Sequence, residues 1–492
     1  MGAEPRIRAM RNRFTIDLLS DDEVEQVHRS TLAVLERVGL QISSEPVLED
    51  LAAAGARVDL GARRVRFPTA MVEEAIELAP RSFLMASRDP SCDLAIDGSA
   101  GYLSLDGTPA HVLDLDTGAR RPGTRADFER AMILTDAVPE IAYTWPTFAI
   151  SDTTPPLQAL LQAYLQLTCT TKHAQPNDVI TPEDARPAIE MARLIAGGEA
   201  ELRARPIMSG YQCSISPLTY DGAAVEAALE YARAGVPAGW VSMAVSTAAT
   251  PTTLAGHLVT VNAEVLGGVA VLETLVPGAA TFCAPYQAFM DLASGDMEPA
   301  WGGEDVLFKL AAAQLMRRYR IPINIMAYGT GSKSADWQAG VQHGLSLMGV
   351  ALAGSAELIA SVGTLHGSRV FSLEQVLLDA ELFGLVCHML ETGFTVNEET
   401  LAGSVIEEVG PGGHFLAHPH TRAHMRERWR SALFDRDSWE AWEASGRPGP
   451  VDRARERVRA ILAEHHPEAL PEDLDRELQA ILEHRRRELE DS

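Results

Sequence analysis

The spacing of apolar residues divides the chain into three parts of different character. In residues 20–80, Ser20 precedes three acidic residues and apolar side chains then recur every three to four positions, which predicts capped, amphipathic helices. Residues 100–118 instead alternate apolar and polar positions and carry the turn sequences Asp106-Gly107 and Asp116-Thr117-Gly118. This second pattern predicts a β-meander, so we expect the first part of the chain to form a separate α/β cap.

From about residue 125, apolar segments of strand length alternate with longer segments of helical periodicity. The predicted strands are Ala142–Ile150, His173–Asn177, Pro206–Ser214, Pro237–Ser246, Ala280–Pro285, Ile321–Tyr328, Leu358–Gly363 and Phe394–Val396. The predicted helices between them include Pro156–Leu167, Asp221–Ala234, Leu254–Thr274, Glu304–Tyr319, Ala339–Ala353 and Leu373–Glu391. Such alternation favours parallel strands with crossover helices, and eight strands favour a TIM (β/α)8 barrel over an open sheet.

The predicted domains follow from these changes of pattern. We expect an N-terminal helical and β-meander cap at residues 1–125, a TIM barrel at 126–400, and a C-terminal helical extension packed on the barrel at 401–492. A chain of 492 residues exceeds the roughly 250–300 residues at which single cores stop growing, so a barrel with extensions is reasonable.

Composition narrows the choice of partners. The net charge of −26 argues against nucleic acid and against anionic membrane surfaces, because phosphates would be repelled. The N-terminus lacks an apolar signal core, and the longest apolar stretch, Val259–Leu275, carries Asn262, Glu264 and Glu273, which argues against a membrane span. Five widely separated cysteines without a CxxC pair fit a reducing cytoplasm. A homo-oligomer is compatible with the size, although the sequence shows no interface.

Candidate chemistry is expected where the strands end, because TIM-barrel active sites lie at the carboxyl ends of the strands. The sequence lacks the GxGxxG, HExxH and GxSxG motifs. The strand ends instead combine aromatic rings, carboxylates and glycines. A quaternary ammonium has no N–H to donate and is held by ring faces and nearby carboxylates, so this mixture suits it. Each ring alone could equally cap the barrel core. The residues in question are Tyr211, Tyr286, Asp296, Glu298, Trp301 and Tyr328.

Four histidines, His414, His418, His420 and His424, raise a second possibility. His420 and His424 are four positions apart, a spacing that can chelate a metal on a helix. No carboxylate partner or second cluster is evident, so hydrogen bonding or contact with a ligand remain alternatives to a metal site.

An ordered series of short motifs carries a family resemblance. Toward the C-terminus these are Lys333-Ser-Ala-Asp336-Trp-Gln338-Ala-Gly340, Ala351-Leu-Ala-Gly354, Ser372-Leu-Glu374-Gln375 with Asp379 and Glu381, Val396-Asn397-Glu398-Glu399-Thr400-Leu401, and Glu408-Val-Gly-Pro-Gly-Gly-His414 with His420-Thr421. Upstream they are Ser216-Pro217-Leu218, Thr253-Leu-Ala-Gly256, Asn262-Ala-Glu264-Val-Leu266 and Asp291 to Glu298. The series resembles the trimethylamine/glycine-betaine methyltransferase family over nearly the whole chain.

The resemblance implies a TIM barrel that hands a methyl group from a methylated amine to a corrinoid (cobalamin) on a separate corrinoid-binding protein. Trimethylamine-specific members carry a pyrrolysine near the position of Lys333 or Ser334, and this chain has none, so it is similar to the branch that demethylates glycine betaine and related quaternary amines. Two departures stand out. Thr330-Gly331-Ser332 replaces Ser-Asp-Ala, and His366 stands where relatives usually carry Glu, which leaves the substrate's anionic end open.

These considerations give a set of site hypotheses. We expect Lys333, Asp336 and His366 as catalytic residues. The substrate-binding set comprises Tyr211, Tyr286, Asp296, Glu298, Trp301, Tyr328, Gln338 and His420, and no resident metal is expected. A quaternary amine leaves as a neutral tertiary amine, so orientation and electrostatics suffice without a general base. Two alternatives stay open: a metal-dependent TIM-barrel lyase or hydrolase, and a non-catalytic protein that binds quaternary amines.

Overall fold

A computed structural model describes residues 6–12, 15–107, 109–299, 302–354 and 356–491 as a mixed α/β protein. Eight parallel strands form its centre. We number them in chain order: β1 Tyr102–Leu105, β2 Ile141–Thr144, β3 His173–Ala174, β4 Gly210–Cys213, β5 Ala238–Ser246, β6 Thr281–Met290, β7 Asn324–Met326 and β8 Leu358–Val362.

The eight strands form two sheets. One has the order β3-β2-β1-β8-β7, and in the other β4, β5 and β6 are parallel while Met297–Pro299 pairs antiparallel with β6. Single parallel bridges link the two sheets at both edges, from Ala174 to Met208 just before β4 and from Cys283 in β6 to Ile323 just before β7.

Seven of the eight strands predicted from about residue 125 onward are confirmed, with shorter or longer bounds. The eighth, Phe394–Val396, is wrong: these residues are irregular, and Phe394 is 95% exposed. The eighth parallel strand is β1, which the alternating pattern had assigned to a meander in the cap. Leu103 of β1 aligns with Ile141 of β2 and with Ile359 of β8, so β1 lies inside the sheet.

Helices alternate with the strands as predicted. The six predicted helices are confirmed as Pro155–Thr168, Gly222–Arg233, Leu254–Leu275, Gly303–Tyr319, Trp337–Ala353 and Leu373–Thr392. Arg125–Ala137, Pro182–Ala196 and Glu199–Ala204 are also helical. Leu254–Leu275 is long and apolar enough to cross a membrane, but it packs on β5 and β6 and under two N-terminal helices, and most of it is buried. Its all-round apolarity is therefore that of a core helix.

The N-terminal segment is joined to the parallel strands. Its helices are Asp21–Arg37, Glu45–Ala53, Thr69–Leu78 and the short 3-10 turn Pro90–Cys92. Its strands are Leu40–Ile42, Arg57–Asp59, Arg64–Arg66, Phe83–Met85, Leu94–Ile96, His111–Leu113 and Arg120–Arg121. Leu40–Ile42 pairs with Thr219–Tyr220 after β4, and His111–Leu113 pairs with Val370–Phe371, which itself pairs with Thr364–Leu365 after β8.

The C-terminal part is helical and divides in two. Its first helices, Glu398–Leu401, Gly403–Val409, Pro419–His424 and Trp439–Ala444, are short. The longer helices, Pro450–Glu464 and Glu472–Asp491, pack on the central part: the first contacts Arg125–Ala137 and Leu373–Thr392, and the second contacts Pro155–Thr168 and Pro182–Ala196.

Candidate functional site

Side chains of the two parallel sheets meet between the sheets, in a region that we call the lumen. Tyr211 in β4 stacks on Phe282 in β6 at 5.8 Å between ring centroids. The ring of Trp145, which follows β2, lies 5.1 Å from that of Tyr211 and is tilted against it by 48°. Tyr286 in β6 donates its hydroxyl to Asn324 Oδ1 in β7 at 2.7 Å. Successive side chains of a strand point to opposite faces. Tyr211 and Tyr286 each lie at a position of their own strand whose side chain points inward.

The tyrosine hydroxyls of the lumen are held in their neutral form. Burial raises the pKa of Tyr143, Tyr211 and Tyr286, and the hydroxyls of Tyr211 and Tyr286 also influence each other. Neutral phenols present ring faces and hydroxyl dipoles rather than charge. The structure thus brings together Tyr211 and Tyr286, two of the expected substrate-binding residues, and Trp145 adds a third ring.

Two carboxylates belong to the same space. Asp178 follows β3, and burial raises its pKa to about 6. Asp106 follows β1 and contributes to the raised pKa of Tyr286. Cys213, at the end of β4, is reached by solvent, and yet burial and the Asp178 carboxylate raise the pKa of its thiol to about 12. Cys213 is therefore exposed at the end of its strand, while its thiol lies in desolvating surroundings.

The loops after β7 and β8 form the rim of the lumen. The amide of His366 donates to Ser332 O and that of Gly367 donates to Thr330 O, both at 2.7 Å. Lys333 is exposed, and its ammonium donates to Gly331 O at 2.8 Å. The rim thus brings Lys333 and His366 onto two joined loops.

Asp336 has a structural task in this rim. Its carboxylate caps the helix Trp337–Ala353 by accepting from the Ala339 amide at 3.0 Å, and it accepts the Ser332 hydroxyl at 2.7 Å. These hydrogen bonds hold the pKa of Asp336 below its usual range. The residue fixes the loop that carries Lys333.

His366 lies in a cationic environment. Burial lowers its pKa, and the neighbouring Lys333, Arg369 and Arg120 lower it further, while Asp296 opposes them. Asp296 itself forms a salt bridge to Arg369 at 2.5 Å, which lowers the pKa of Asp296 to about 2. Its charge is therefore already paired within the rim.

Other expected site residues lie elsewhere. Tyr328 donates to Asp379 O at 2.9 Å and its ring lies 5.3 Å from that of His343, so it faces the helix layer rather than the lumen. Gln338 donates to Gln342 at 3.2 Å on an exposed helix face. His420, in the C-terminal segment, contacts Glu399 O at 3.3 Å. Trp301 and the side chain of Glu298 are outside the described part of the chain.

Buried carboxylates in the surrounding layer hold the loops in place. Glu264 accepts four hydrogen bonds from the β4 loop and from β5: Ser214 Oγ at 2.5 Å, Ser216 Oγ at 2.7 Å, the Leu218 amide at 2.8 Å and Ser242 Oγ at 2.6 Å. Asp379 accepts the Gly363 amide at 2.8 Å and lies 2.7 Å from His343 Nδ1. Glycine is required at position 363 for two reasons: its φ is 85°, and a Cβ there would meet Val376 at 2.6 Å.

Sequence reasoning missed Asp178, Asp106, Trp145 and Cys213. Each lies in the last residues of a strand or within four residues after it, so the rule that located Tyr211 and Tyr286 also points to them. They escaped notice because β1 had been assigned to the cap and because β3 is only two residues long.

The histidine cluster forms pairs rather than a chelate. His418 pairs with Glu408 at 3.4 Å, and His424 pairs with Glu427 at 2.8 Å. The rings of His420 and His424 are 4.4 Å apart. Within the residues that the structure describes, no group of three or more His, Cys, Asp or Glu side chains could hold a metal ion.

Known proteins are similar in sequence to this chain over nearly its full length. The family model for trimethylamine methyltransferase (MTTB) matches residues 2–490. Trimethylamine methyltransferase MttB of Desulfitobacterium hafniense (strain DSM 10664 / DCB-2) is 34% identical over 96% of this chain and 94% of its own length. Glycine betaine methyltransferase of Desulfitobacterium hafniense (strain Y51) is 31% identical over 96% and 98%.

Among solved structures, monomethylamine methyltransferase MtmB of Methanosarcina barkeri overlaps 92% of this chain and 96% of its own, with a TM-score of 0.48 and 10% identity. The full-length family match and the two relatives above 30% identity settle the classification. The chain belongs to the trimethylamine methyltransferase family.

Proposed function

We propose that this chain transfers a methyl group from a quaternary methylated amine, such as a betaine, to the cobalt of a corrinoid carried by a partner protein. The family membership makes it a methyltransferase of methylated amines, and its relatives are named for trimethylamine and for glycine betaine. The single observation that carries the choice of a quaternary amine is the group of rings formed by Tyr211, Tyr286 and Trp145, with the Asp178 carboxylate near Cys213 at the end of the strand that carries Tyr211.

The chemistry of a trimethylammonium group matches this lining. The group cannot donate a hydrogen bond, so it gains from ring faces and from a carboxylate that shares its desolvated surroundings. Asp178 is the carboxylate we assign, because Asp296 is committed to Arg369 and because the charge of Asp178 is felt by Cys213 inside the lumen. Above pH 6 the Asp178 side chain is ionised and supplies that charge.

The proposed scaffold is one closed TIM barrel made of β1 to β8. The two bridges, Ala174–Met208 and Cys283–Ile323, support closure because they link the sheets at both free edges. The side-chain contacts from Tyr211 and Tyr286 across the lumen agree with it. The barrel then begins at β1 within the N-terminal segment and continues through residues 126–400, with 401–492 as an extension whose last two helices pack on it.

The corrinoid would meet the open side of the lumen. Cys213 is reached by solvent there, and the joined loops carrying Gly331, Ser332 and Gly367 form the rim that the partner would contact, so the residues present fit a group delivered from outside. When bound, the corrinoid supplies a Co(I) nucleophile. The donor's C–N electron pair leaves with nitrogen as a neutral tertiary amine, so no proton has to move.

The chain's own residues then orient and shield the donor. The aromatic rings fix the ammonium with one methyl group toward the mouth, and the apolar walls exclude water. The rim offers Lys333 and His366 to an anionic group at the donor's other end, since both lie in a local excess of positive charge. Asp336 and Asp379 act through the rim loops that they hold. The proposed location of the protein is the reducing cytoplasm.

An anoxic optical assay tests the proposal. Purified protein is mixed with reduced cob(I)alamin, and glycine betaine, carnitine, choline, proline betaine and trimethylamine are added one at a time. The expected result is conversion of the Co(I) absorbance to that of methylcobalamin with a quaternary amine, and a need for roughly tenfold more of that amine in Asp178→Asn. Conversion with trimethylamine alone would contradict the choice of a quaternary donor.

A non-catalytic amine-binding protein is the alternative that the assay has to exclude. It would bind one of these amines in calorimetry and yet give no methyl transfer with cob(I)alamin or with the cognate corrinoid protein. A metal-dependent lyase or hydrolase would instead reveal itself through tightly bound metal in the purified protein.

A further inference from the structure

Residues 393–428, which we call the arm, separate the helix Leu373–Thr392 from Trp429. None of the 36 residues in this fully described range is buried. The three helices of the arm have four, seven and six residues. Helices this short are not stable alone in water, so the arm requires packing against another surface.

The hydrogen bonds of the arm are internal. Asn397 and Thr400 cap each other, and the Thr421 hydroxyl donates to Phe415 O at 2.7 Å. His424 reaches Glu399 at 3.6 Å. Among the described residues, the hydrogen bonds and ion pairs of 394–428 have both partners within the arm. The arm therefore has a shape of its own and an uncovered outer face.

That face is strongly apolar. Phe394 is 95% exposed and Leu416 is 85% exposed. Five more large apolar side chains of the arm are exposed: Val396, Leu401, Ile406, Phe415 and Met425. Together they offer several hundred Å², on the order of the roughly 800 Å² that each partner contributes to a standard protein interface. A patch of this size marks an interaction surface.

Charge identifies the partner as another arm. Residues 393–413 contain four glutamates and no Lys or Arg, whereas residues 414–428 contain three arginines and one glutamate. Glu398 and Glu407 have no ion pair among the described residues, and neither have Arg422, Arg426 and Arg428. A two-fold axis would lay the acidic half of one arm on the basic half of the other, which is the self-complementarity of an isologous interface.

The position of the arm separates it from the corrinoid partner. The preceding helix starts beyond the carboxyl end of β8 and runs back toward the opposite end of the strands. Trp429, the first residue after the arm, lies against Gly384 of that helix. Its ring is 4.9 Å from the guanidinium of Arg8, and the Arg8 amide donates to Pro139 O just before β2. Both ends of the arm are thus on the face of the protein opposite the carboxyl ends of the strands.

We propose that the arm binds the arm of a second copy of this chain across a two-fold axis, which makes the protein a dimer. The inference does not rest on the proposed function, because no arm residue belongs to the lumen or the rim.

Sedimentation velocity on the full chain tests the proposal. The expected result at micromolar concentration is twice the 53.2 kDa of one chain. Phe394→Glu combined with Leu416→Glu should weaken the dimer at least tenfold and leave the melting temperature unchanged, since both side chains are exposed. Leu60→Glu, at a 46% exposed site in the N-terminal segment, is the matched control and should stay dimeric. A wild-type monomer, or a dimer that the double variant does not weaken, would overturn the proposal.

A charge exchange distinguishes arm-to-arm contact from other uses of the arm. Glu398→Arg with Glu407→Arg, and separately Arg422→Glu with Arg426→Glu, should each weaken self-association. Mixing the two variant proteins should restore a heterodimer, because each supplies what the other lacks. Failure of the mixture to dimerise, or loss of corrinoid-protein binding in these variants, would contradict the arm-to-arm assignment. Methyl transfer per chain should be unchanged throughout.

Discussion

The Asp178 carboxylate adds to the burial that raises the pKa of the Cys213 thiol to about 12, although the two residues end different strands. The thiol is therefore protonated at neutral pH, and a protonated thiol is a poor nucleophile. Cys213 can line the cleft without competing for an activated methyl group. The same relationship places the Asp178 charge near Cys213, on the strand that carries Tyr211.

The first prediction concerns that charge. Replacing Asp178 with Asn keeps the shape and removes the charge, so the affinity for glycine betaine or tetramethylammonium should fall roughly tenfold, equivalent to about 1.4 kcal/mol. In the wild type the affinity should fall as the pH drops through about 6, because protonation of Asp178 removes its charge. Isothermal titration between pH 5 and 8 measures both effects.

The control for this titration is Asp178→Asn itself, which should bind with little pH dependence over the same range. A variant whose affinity still falls below pH 6 would assign the titration to another group. Equal affinity of variant and wild type at pH 7.5 would remove Asp178 from the site.

The second prediction separates the ring of Tyr286 from its hydroxyl. Tyr286→Phe keeps the ring face, so affinity for a quaternary ammonium should stay within about threefold. Losing the hydrogen bond to Asn324 should cost about 1–3 kcal/mol of unfolding free energy, because a buried acceptor loses its partner. Tyr286→Leu removes the ring face and should weaken binding roughly tenfold.

An uncharged isostere provides the comparison for Tyr286. A donor analogue with a tert-butyl group in place of trimethylammonium should bind Tyr286→Leu and the wild type almost equally, since it gains nothing from the π face. An equal loss for the charged and uncharged ligands would mean that the ring acts by shape alone.

The order of strands shows what the local pattern could and could not predict. Seven strands and six helices have periodicity that matches their burial, and the sequence predicted them. The mistaken strand, Phe394–Val396, has the same apolar alternation as a true strand but no neighbour with which to pair. The true eighth strand, β1, is placed by pairing with β2 and β8, and β8 lies some 250 residues away along the chain. Local pattern carries no information on such pairings.

The sequence predicted site residues at the ends of the strands. The structure shows which of their side chains point into the lumen and which point outward. Tyr211 and Tyr286 follow the inward register of their strands, whereas Tyr328 comes two residues after β7 has ended and turns outward to Asp379. Asp296 could be identified as a rim carboxylate, but its pairing with Arg369 depends on a loop that follows β8. Long-range contacts, rather than residue type, decide which acid remains for a ligand.

The third prediction concerns the rim. Replacing His366 with Glu would add negative charge beside Lys333 and Arg369, whose charges now lower the pKa of His366. Binding of a donor with a carboxylate, such as glycine betaine, should weaken severalfold relative to tetramethylammonium, which lacks an anionic end. The ratio of the two affinities, measured by competition, reports the effect, and an unchanged ratio would place the carboxylate away from His366.

The fourth prediction concerns a buried ion pair behind β6. Lys309 Nζ lies 2.6 Å from Asp305 Oδ2, and both side chains are almost completely buried. Lys309→Met leaves an uncompensated carboxylate in the core and should lower the unfolding free energy by about 3–5 kcal/mol. Lys309→Met combined with Asp305→Leu removes both charges and should recover most of that loss, although Gln287, which donates to Asp305, then loses its acceptor. Urea unfolding followed by circular dichroism gives both values, and a single variant less than 1 kcal/mol below the wild type would show that the pair is not energetically coupled.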